Sequence, residues 1–382
     1  MAQAWVPTLR RRVMLAALDA IARVARLERR APEDEVKRRE DVRRILVVEP
    51  KNIGDVVLTL PFLAQLRAVF PHSTTTLLAN PNARMLLEGT GLVDEFIGTD
   101  LGWSEESTHY NPLAYNWREL WRLKRELSAR HFDLAFKACM HIREHIVLGL
   151  SGGKRRIAYA FGQGDRVLTD AVVIDDPNRH KTADWLHLLE LFGGPVEIEK
   201  PRLRVSESER RWGAEYLLAK GISPTETIVG IHPGASVPEK RWPLDRFREI
   251  AETLTQRHGA RVVAFVDPEG YGASLGEIDG VVTAQVGLRQ LMALIERCEL
   301  LVCNDSGPMH IAGALGVPTV AIFGSGINLW FAPLGDRHRL ITLDKTDAPA
   351  TAGGQSVRPY DLADIPTSRV LTELDSALRA NP

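Results

Sequence analysis

Leu300-Leu301-Val302-Cys303-Asn304-Asp305-Ser306-Gly307-Pro308-Met309-His310-Ile311-Ala312-Gly313-Ala314-Leu315-Gly316-Val317-Pro318-Thr319-Val320-Ala321-Ile322-Phe323-Gly324 reads as a buried strand, a polar turn, a short helix and a second strand. This is one βαβ unit. Its turn brings Asp305, Ser306, Gly307 and His310 to the place where open α/β sheets bind ligands, at a strand's carboxyl end and a helix's amino end. Free amides and the helix dipole there favour an anion, with phosphate the best fit. The letters Asp-Ser-Gly-Pro are similar to the nucleophile turn of chymotrypsin-like proteases, but that turn needs a second glycine after the first, and Pro308 follows Gly307 here. Those enzymes are all-β, whereas Ala312, Ala314 and Leu315 continue a helical pattern. A plainer role for Asp305 is to cap the helix. That role leaves His310, one turn further along the same face, without an explanation.

Working outward, the same alternation of strands and helices fills the rest of the carboxyl-terminal half. A helix over 206–220 is capped by Ser206, and a strand over 227–232 runs into Pro233-Gly234-Ala235-Ser236. Small residues in that turn let backbone approach a ligand, and Lys240 and Arg241 just beyond offer positive charge. Helix 244–258, strand 261–266, helix 288–297 and a closing helix over 367–379 complete a doubly wound domain. Gly324-Ser325-Gly326 is only a fragment of a dinucleotide fingerprint. Residues 345–358 read as a loop.

The amino-terminal half repeats the theme. An apolar strand over 45–48 leads into Glu49-Pro50-Lys51-Asn52-Ile53-Gly54-Asp55 and then a helix over 56–69, which Pro61 is expected to kink or restart. Gly54 suits a tight turn, and Asp55 stands at the helix start facing the sheet's carboxyl edge; capping is again the plainer role. A strand over 74–79, a helix near 83–88 and a strand over 132–138 follow. His141 and His145 have the spacing of helical metal ligands, but no third ligand accompanies them. Gly152-Gly153-Lys154 lacks the rest of a phosphate loop and reads as a basic turn. With Arg155 and Arg156, Lys154 is placed beside an anionic acceptor. The Gly- and Pro-rich stretch 193–205 divides the halves.

Residues 1–44 stand apart. Val6, Leu9, Val13, Ala17, Ile21 and Val24 recur at helical spacing, and seven arginines in the first thirty residues oppose only Asp19 and Glu28. Such a basic amphipathic stretch lies on an anionic membrane surface, packs on the protein body as a helix, or forms a loosely ordered arm. Residues 31–44 are charged and read as a linker.

Composition narrows the function classes. A chain of 382 residues with 45% hydrophobic and 25% charged residues is a globular protein of two domains. Its net charge of −1 disfavours nucleic acid as the main partner. Three cysteines without a Cys-x-x-Cys pair fit a reducing compartment without structural zinc or disulfides. No apolar run is long enough to span a bilayer, and a signal peptide is not expected.

Three blocks together give this chain a family likeness: 45–67 with Gly54-Asp55, 231–242 with Pro-Gly-Ala and Lys-Arg-Trp-Pro, and 302–324 with Asp-Ser-Gly-Pro-Met-His. With them the chain resembles glycosyltransferase family 9, the heptosyltransferases of the lipopolysaccharide inner core. The resemblance implies a GT-B fold of two Rossmann-like domains facing a cleft, with acceptor on residues 45–195 and nucleotide sugar on residues 196–382. It implies an inverting transfer of heptose from ADP-heptose to a glycolipid acceptor, with no metal and no cofactor. Asp55 matches the general base and Lys240 a donor-contacting lysine of the reacting site. Gly234, Ala235, Ser236, Asp305, Ser306, Gly307 and His310 match the donor site. Lys51, Lys154, Arg155 and Arg156 are assigned to the acceptor. A cytoplasmic enzyme, peripheral on the inner membrane through residues 1–30, is the expected setting.

The chain departs from the family pattern at 324–330, where Gly-Ser-Gly-Ile-Asn-Leu-Trp replaces a Pro-Thr-Asp-Pro motif, and it lacks a cysteine in 345–366. The first change lies near the donor and keeps a UDP- or GDP-linked sugar open. A nucleotide-sugar epimerase and a non-catalytic sugar-nucleotide binder are the competing classes. The epimerase would not need a basic arm, and the binder would not need Asp55, Lys240 and His310 together.

Overall fold

The computed structural model describes residues 38–101, 116–138, 143–160, 165–176, 178–193, 198–324, 328–343 and 361–380. The basic arm, Cys139, His141, Ser325, Gly326 and the loop 345–358 lie outside them. The chain divides into two compact units, the second beginning at Lys200 and including Glu88–Thr90.

The first unit contains β1 (Arg44–Glu49), α1 (Ile53–Val69), β2 (Thr74–Ala79), α2 (Ala83–Leu87), β3 (Glu95–Gly98), α3 (Trp117–Ser128) and β4 (Leu134–Lys137). It continues with α4 (Arg143–Ser151), β5 (Arg155–Tyr159), β6 (Asp170–Val172) and α5 (Lys181–His187). Its six strands are all parallel and ordered β3-β2-β1-β4-β5-β6. The strand order reverses between β1 and β4, and a doubly wound sheet opens its ligand crevice at the carboxyl ends of such a pair. Leu46, Val48, Leu123, Phe132 and Val147 are fully or nearly fully buried in one apolar cluster. Phe62 meets Trp185 at 4.8 Å and the edge of Phe136 at 5.4 Å.

Pro61 neither stops nor restarts α1; the helix runs through it as one element. Leu60, Pro61, Phe62 and Leu63 are all buried there, so packing holds a turn that has lost one backbone hydrogen bond. Gly54 is the second residue of that helix, with no positive φ, so it serves helix entry and not a left-handed turn.

The second unit contains α6 (Glu207–Ala219), β7 (Ile228–His232), α7 (Leu244–His258), β8 (Arg261–Phe265), β9 (Val281–Ala284) and α8 (Leu288–Glu296). Then come β10 (Leu300–Asn304), α9 (Gly307–Leu315), β11 (Thr319–Phe323), β12 (His338–Thr342) and α10 (Thr367–Arg379). The sheet is again parallel, ordered β12-β11-β10-β7-β8-β9. This is the same winding, with its reversal between β7 and β10. Ser206 caps α6 in a reciprocal pair with Glu209, and Arg289 beside that carboxylate helps pull its pKa down to about 2. Trp242, Phe247, Val262, Val302 and Leu374 fill the core.

Candidate active site

At the reversal of the second sheet, β7 ends at His232 directly beside Cys303 of β10. The turn Pro233-Gly234-Ala235-Ser236 therefore lies next to the turn Asp305-Ser306-Gly307, as the sequence grouping requires. Asn304, fully buried, joins them: its Nδ2 donates to the Pro233 carbonyl at 2.7 Å, and its Oδ1 accepts from the Trp242 amide at 3.1 Å. Trp242 Nε1 donates in turn to the Ile365 carbonyl at 3.0 Å. A single side chain thus holds both the turn after β7 and the segment that carries Lys240.

Lys240 closes a short turn, Pro238–Lys240, and its Nζ lies 2.6 Å from Oδ2 of Asp305. Asp305 is not the cap of α9. Ser306 occupies the capping position, its side chain makes no capping bond, and Pro308 sits in the first turn. Pro308 carries no amide hydrogen and the Met309 amide donates to the Ser306 carbonyl at 3.1 Å, so the leading donors at this sheet edge are the amides of Ser306 and Gly307. His310 is 6% exposed on the buried side of the same helix. Arg241 donates twice to the Ala235 carbonyl and lies over the Tyr271 ring at 4.7 Å, which fixes the small-residue turn from outside.

His232 was not singled out by sequence, yet its Nδ1 is 3.3 Å from Ser306 Oγ. Burial pushes its pKa down to about 4, against an opposing pull from Asp267. A Cβ at Gly234 would stand 3.2 Å from that imidazole and 3.3 Å from Asp267 Oδ2, so the glycine allows close packing here. The signal for Asn304 and His232 was visible as polar residues ending apolar strands.

At the reversal of the first sheet, Asp55 is the third residue of α1, half-buried, while Asn52 holds the capping position. Capping is therefore not the role of Asp55. Lys51, in the same turn, is half-buried. Around them the sheet edge is unusually charged for a buried region. Glu49 and Lys137 are fully buried, and Lys137 Nζ lies 3.4 Å from the carboxylate of Glu144. Lys181, at the start of α5, donates to the Ala138 carbonyl at 3.0 Å. Thr182 ties α5 to α1 through the Leu58 carbonyl at 2.9 Å.

Lys154, Arg155 and Arg156 do not join this group. Arg155 pairs in register with Leu134, which in turn pairs with Ile45, so all three lie at the amino edge of the parallel sheet, away from Asp55. Each is used by the protein itself: Lys154 with Asp133 at 2.8 Å, Arg155 with Asp170 at 2.6 Å, and Arg156 with the carbonyls of Gly153 and Val167. Gly152-Gly153-Lys154 is a turn as expected, with Gly152 at a φ of 65°, whereas Arg155 and Arg156 already belong to β5. His145 Nδ1 is 3.7 Å from Asp165 Oδ1, and among the described residues no His, Cys, Asp and Glu cluster could hold a metal. Cys298 and Cys303 are buried free thiols, and no helix among the described residues is long and apolar enough to cross a membrane.

The sequence matches the profile of glycosyltransferase family 9 (heptosyltransferase) over residues 120–360. It is 27% identical to lipopolysaccharide heptosyltransferase 2 of Escherichia coli over 356 residues, covering 88% of this chain and 98% of that protein. It is 30% identical to lipooligosaccharide heptosyltransferase 2 of Haemophilus influenzae, covering 87% of this chain and 99% of that one. A crystal structure of a family 9 glycosyl transferase from Veillonella parvula superposes with a TM-score of 0.72 at 25% identity, covering 90% of this chain and 99% of the other. Two reversal-point sites on two like-wound parallel sheets, carried by a sequence that matches across nearly its whole described length, have one family in common: the chain belongs to glycosyltransferase family 9, the heptosyltransferases.

Proposed function

We propose that the enzyme moves a heptose from ADP-heptose to a lipopolysaccharide inner-core or related glycan acceptor, with inversion at the anomeric carbon and without a metal ion. The observation that carries this reading is the convergence of Lys240 and the amides of Ser306 and Gly307 on one sheet edge at the β7–β10 reversal. These are fixed positive groups suited to a sugar diphosphate. In this reading the acceptor hydroxyl attacks the anomeric carbon, its proton passes to Asp55, and the bond to the diphosphate breaks. Lys240 and the amides of Ser306 and Gly307 meet the charge that develops on the leaving group. Gly234, Ala235 and Ser236 give the donor close access to backbone, and His310 supports the sugar side of α9. Lys51 is the acceptor-side cation retained at the edge that carries Asp55. The names of the relatives support heptose and lipopolysaccharide; ADP as the nucleotide is supported by the family resemblance.

We further propose that residues 1–30 hold the enzyme on the cytoplasmic face of the inner membrane, a reading supported by their basic stripe.

The test is transfer with ADP-heptose, UDP-sugars and GDP-sugars, each offered with heptose-deficient lipopolysaccharide, in the presence and absence of EDTA. The expected result is product from ADP-heptose alone, undiminished by EDTA. Product only from a UDP- or GDP-sugar would replace the donor, and loss of activity restored by Mg²⁺ would overturn the metal-free mechanism.

A further inference from the structure

Glu49 is the last residue of β1, at the reversal of the first sheet, six positions before Asp55 in the turn that leads into α1. Its side chain is fully buried, and among the described residues neither carboxylate oxygen has a hydrogen-bond partner. A buried, unpartnered carboxylate is costly, so such a group is either protonated or held for a purpose.

The charges around it come from every element packed there. Asp55 on α1 and Glu144 on α4 are negative, while Lys51 in the turn and Lys181 on α5 are positive. Glu144 is matched by Lys137 of β4, and Lys181 is turned toward the Ala138 carbonyl and, at 3.9 Å, toward Asp184. Lys181 is thus shared with other acceptors, and burial together with Asp55 pushes the Glu49 pKa up to about 8.

We propose that Glu49 is a positioning residue for Asp55, its buried carboxyl setting the field in which the Asp55 carboxylate accepts a proton. This rests on the reading of Asp55 as the general base. A neutral Glu49 leaves the field at Asp55 to Lys51 and Lys181. An ionised Glu49 adds a negative charge at the end of β1, and that charge favours the arrival of a proton from the acceptor hydroxyl. Because Glu49 is fully buried, it acts through Asp55 and does not touch the acceptor.

The experiment compares kcat against pH, from about pH 6 to about pH 9.5, for wild type, Glu49→Gln and Glu49→Leu, with Asp55→Asn as control. Wild type is expected to gain roughly threefold to tenfold across an inflection near pH 8, and both Glu49 variants to lack it. Melting temperatures give a readout free of activity. A carboxyl with a raised folded pKa contributes its full stability below its unfolded value and loses it as pH rises through the folded value. Both Glu49 variants should therefore gain on wild type from about pH 4.5 to about pH 8 and run parallel above. Infrared spectra of the wild type, which need no variant, should lose a protonated-carboxyl band across the same upper range. An inflection that persists in both variants, or no such band in the wild type, overturns the proposal. Near-normal activity of Asp55→Asn overturns the base assignment and this inference with it; an inactive Asp55→Asn with an unchanged inflection in the Glu49 variants overturns this inference alone.

Discussion

The ammonium of Lys240 and the carboxylate of Asp305, 65 residues apart in sequence, meet at 2.6 Å across the reversal of the second sheet. The lysine side chain is 48% exposed. A pair this exposed contributes at most about 1 kcal/mol to folding. In the proposed mechanism its value lies in holding a cation at the sheet edge where the charge of the leaving diphosphate is met.

Lys240→Met is therefore expected to leave the melting temperature nearly unchanged and to lower kcat/KM for the donor by roughly 10² to 10³, the cost of one well-placed charge-stabilising group. Calorimetry and steady-state kinetics on the same preparation check both halves. A large loss of stability with normal kinetics would make the pair structural.

Asn304 predicts the opposite division. Asn304→Leu keeps the volume but strands the Trp242 amide and the Pro233 carbonyl in the interior. Each orphaned buried group costs about 1 to 3 kcal/mol, so the melting temperature should fall by roughly 5 to 15 °C. Thermal unfolding followed by tryptophan fluorescence measures it.

The buried histidines predict an acid limb. The pKa values of His232 and His338 are lowered to about 4 by burial, from an ordinary value of 6.5. A histidine with a depressed folded value contributes stability that is present above pH 6.5 and is lost as pH falls toward the folded value. Stability should decline from about pH 6.5 to about pH 4, with each histidine contributing at most about 3 kcal/mol. His232→Asn, measured by chemical denaturation across that range, should flatten the decline.

Much of this site was legible in sequence because strand ends in a parallel sheet are local features. The apolar run 300–304 followed by Asp-Ser-Gly-Pro gave β10 and α9, and Ser206 marked the start of α6. What stayed hidden depended on partners far along the chain. Arg155 and Arg156 look like contacts for an anionic acceptor until Asp170 and the Val167 carbonyl arrive beside them. Asp305 and Asp55 look like caps until Ser306 and Asn52 take those positions. Glu49 reads as the first residue of a polar turn, and only the structure shows that it ends β1 with its side chain fully buried.

The basic arm predicts salt-sensitive membrane binding. Removing residues 1–30, which carry seven arginines against two acids, should release the enzyme from anionic vesicles. It should also lower activity on membrane-borne acceptor more than on a soluble analogue. Binding of the full chain should weaken from low to high salt, since surface charge attraction is screened within a Debye length. Co-sedimentation with such vesicles checks it, and equal partitioning of both forms would remove the arm from the account.

The central claim is that Asp55 accepts the acceptor's proton, and Asp55→Asn tests it most directly. Asn52 already holds the capping position of α1, so the substitution removes a charge and leaves the helix start in place. Measured at saturating donor and acceptor, kcat is predicted to fall by roughly 10² to 10⁴ while melting temperature and donor affinity stay close to wild type. A kcat near the wild-type value in a folded, donor-binding Asp55→Asn enzyme would contradict the account.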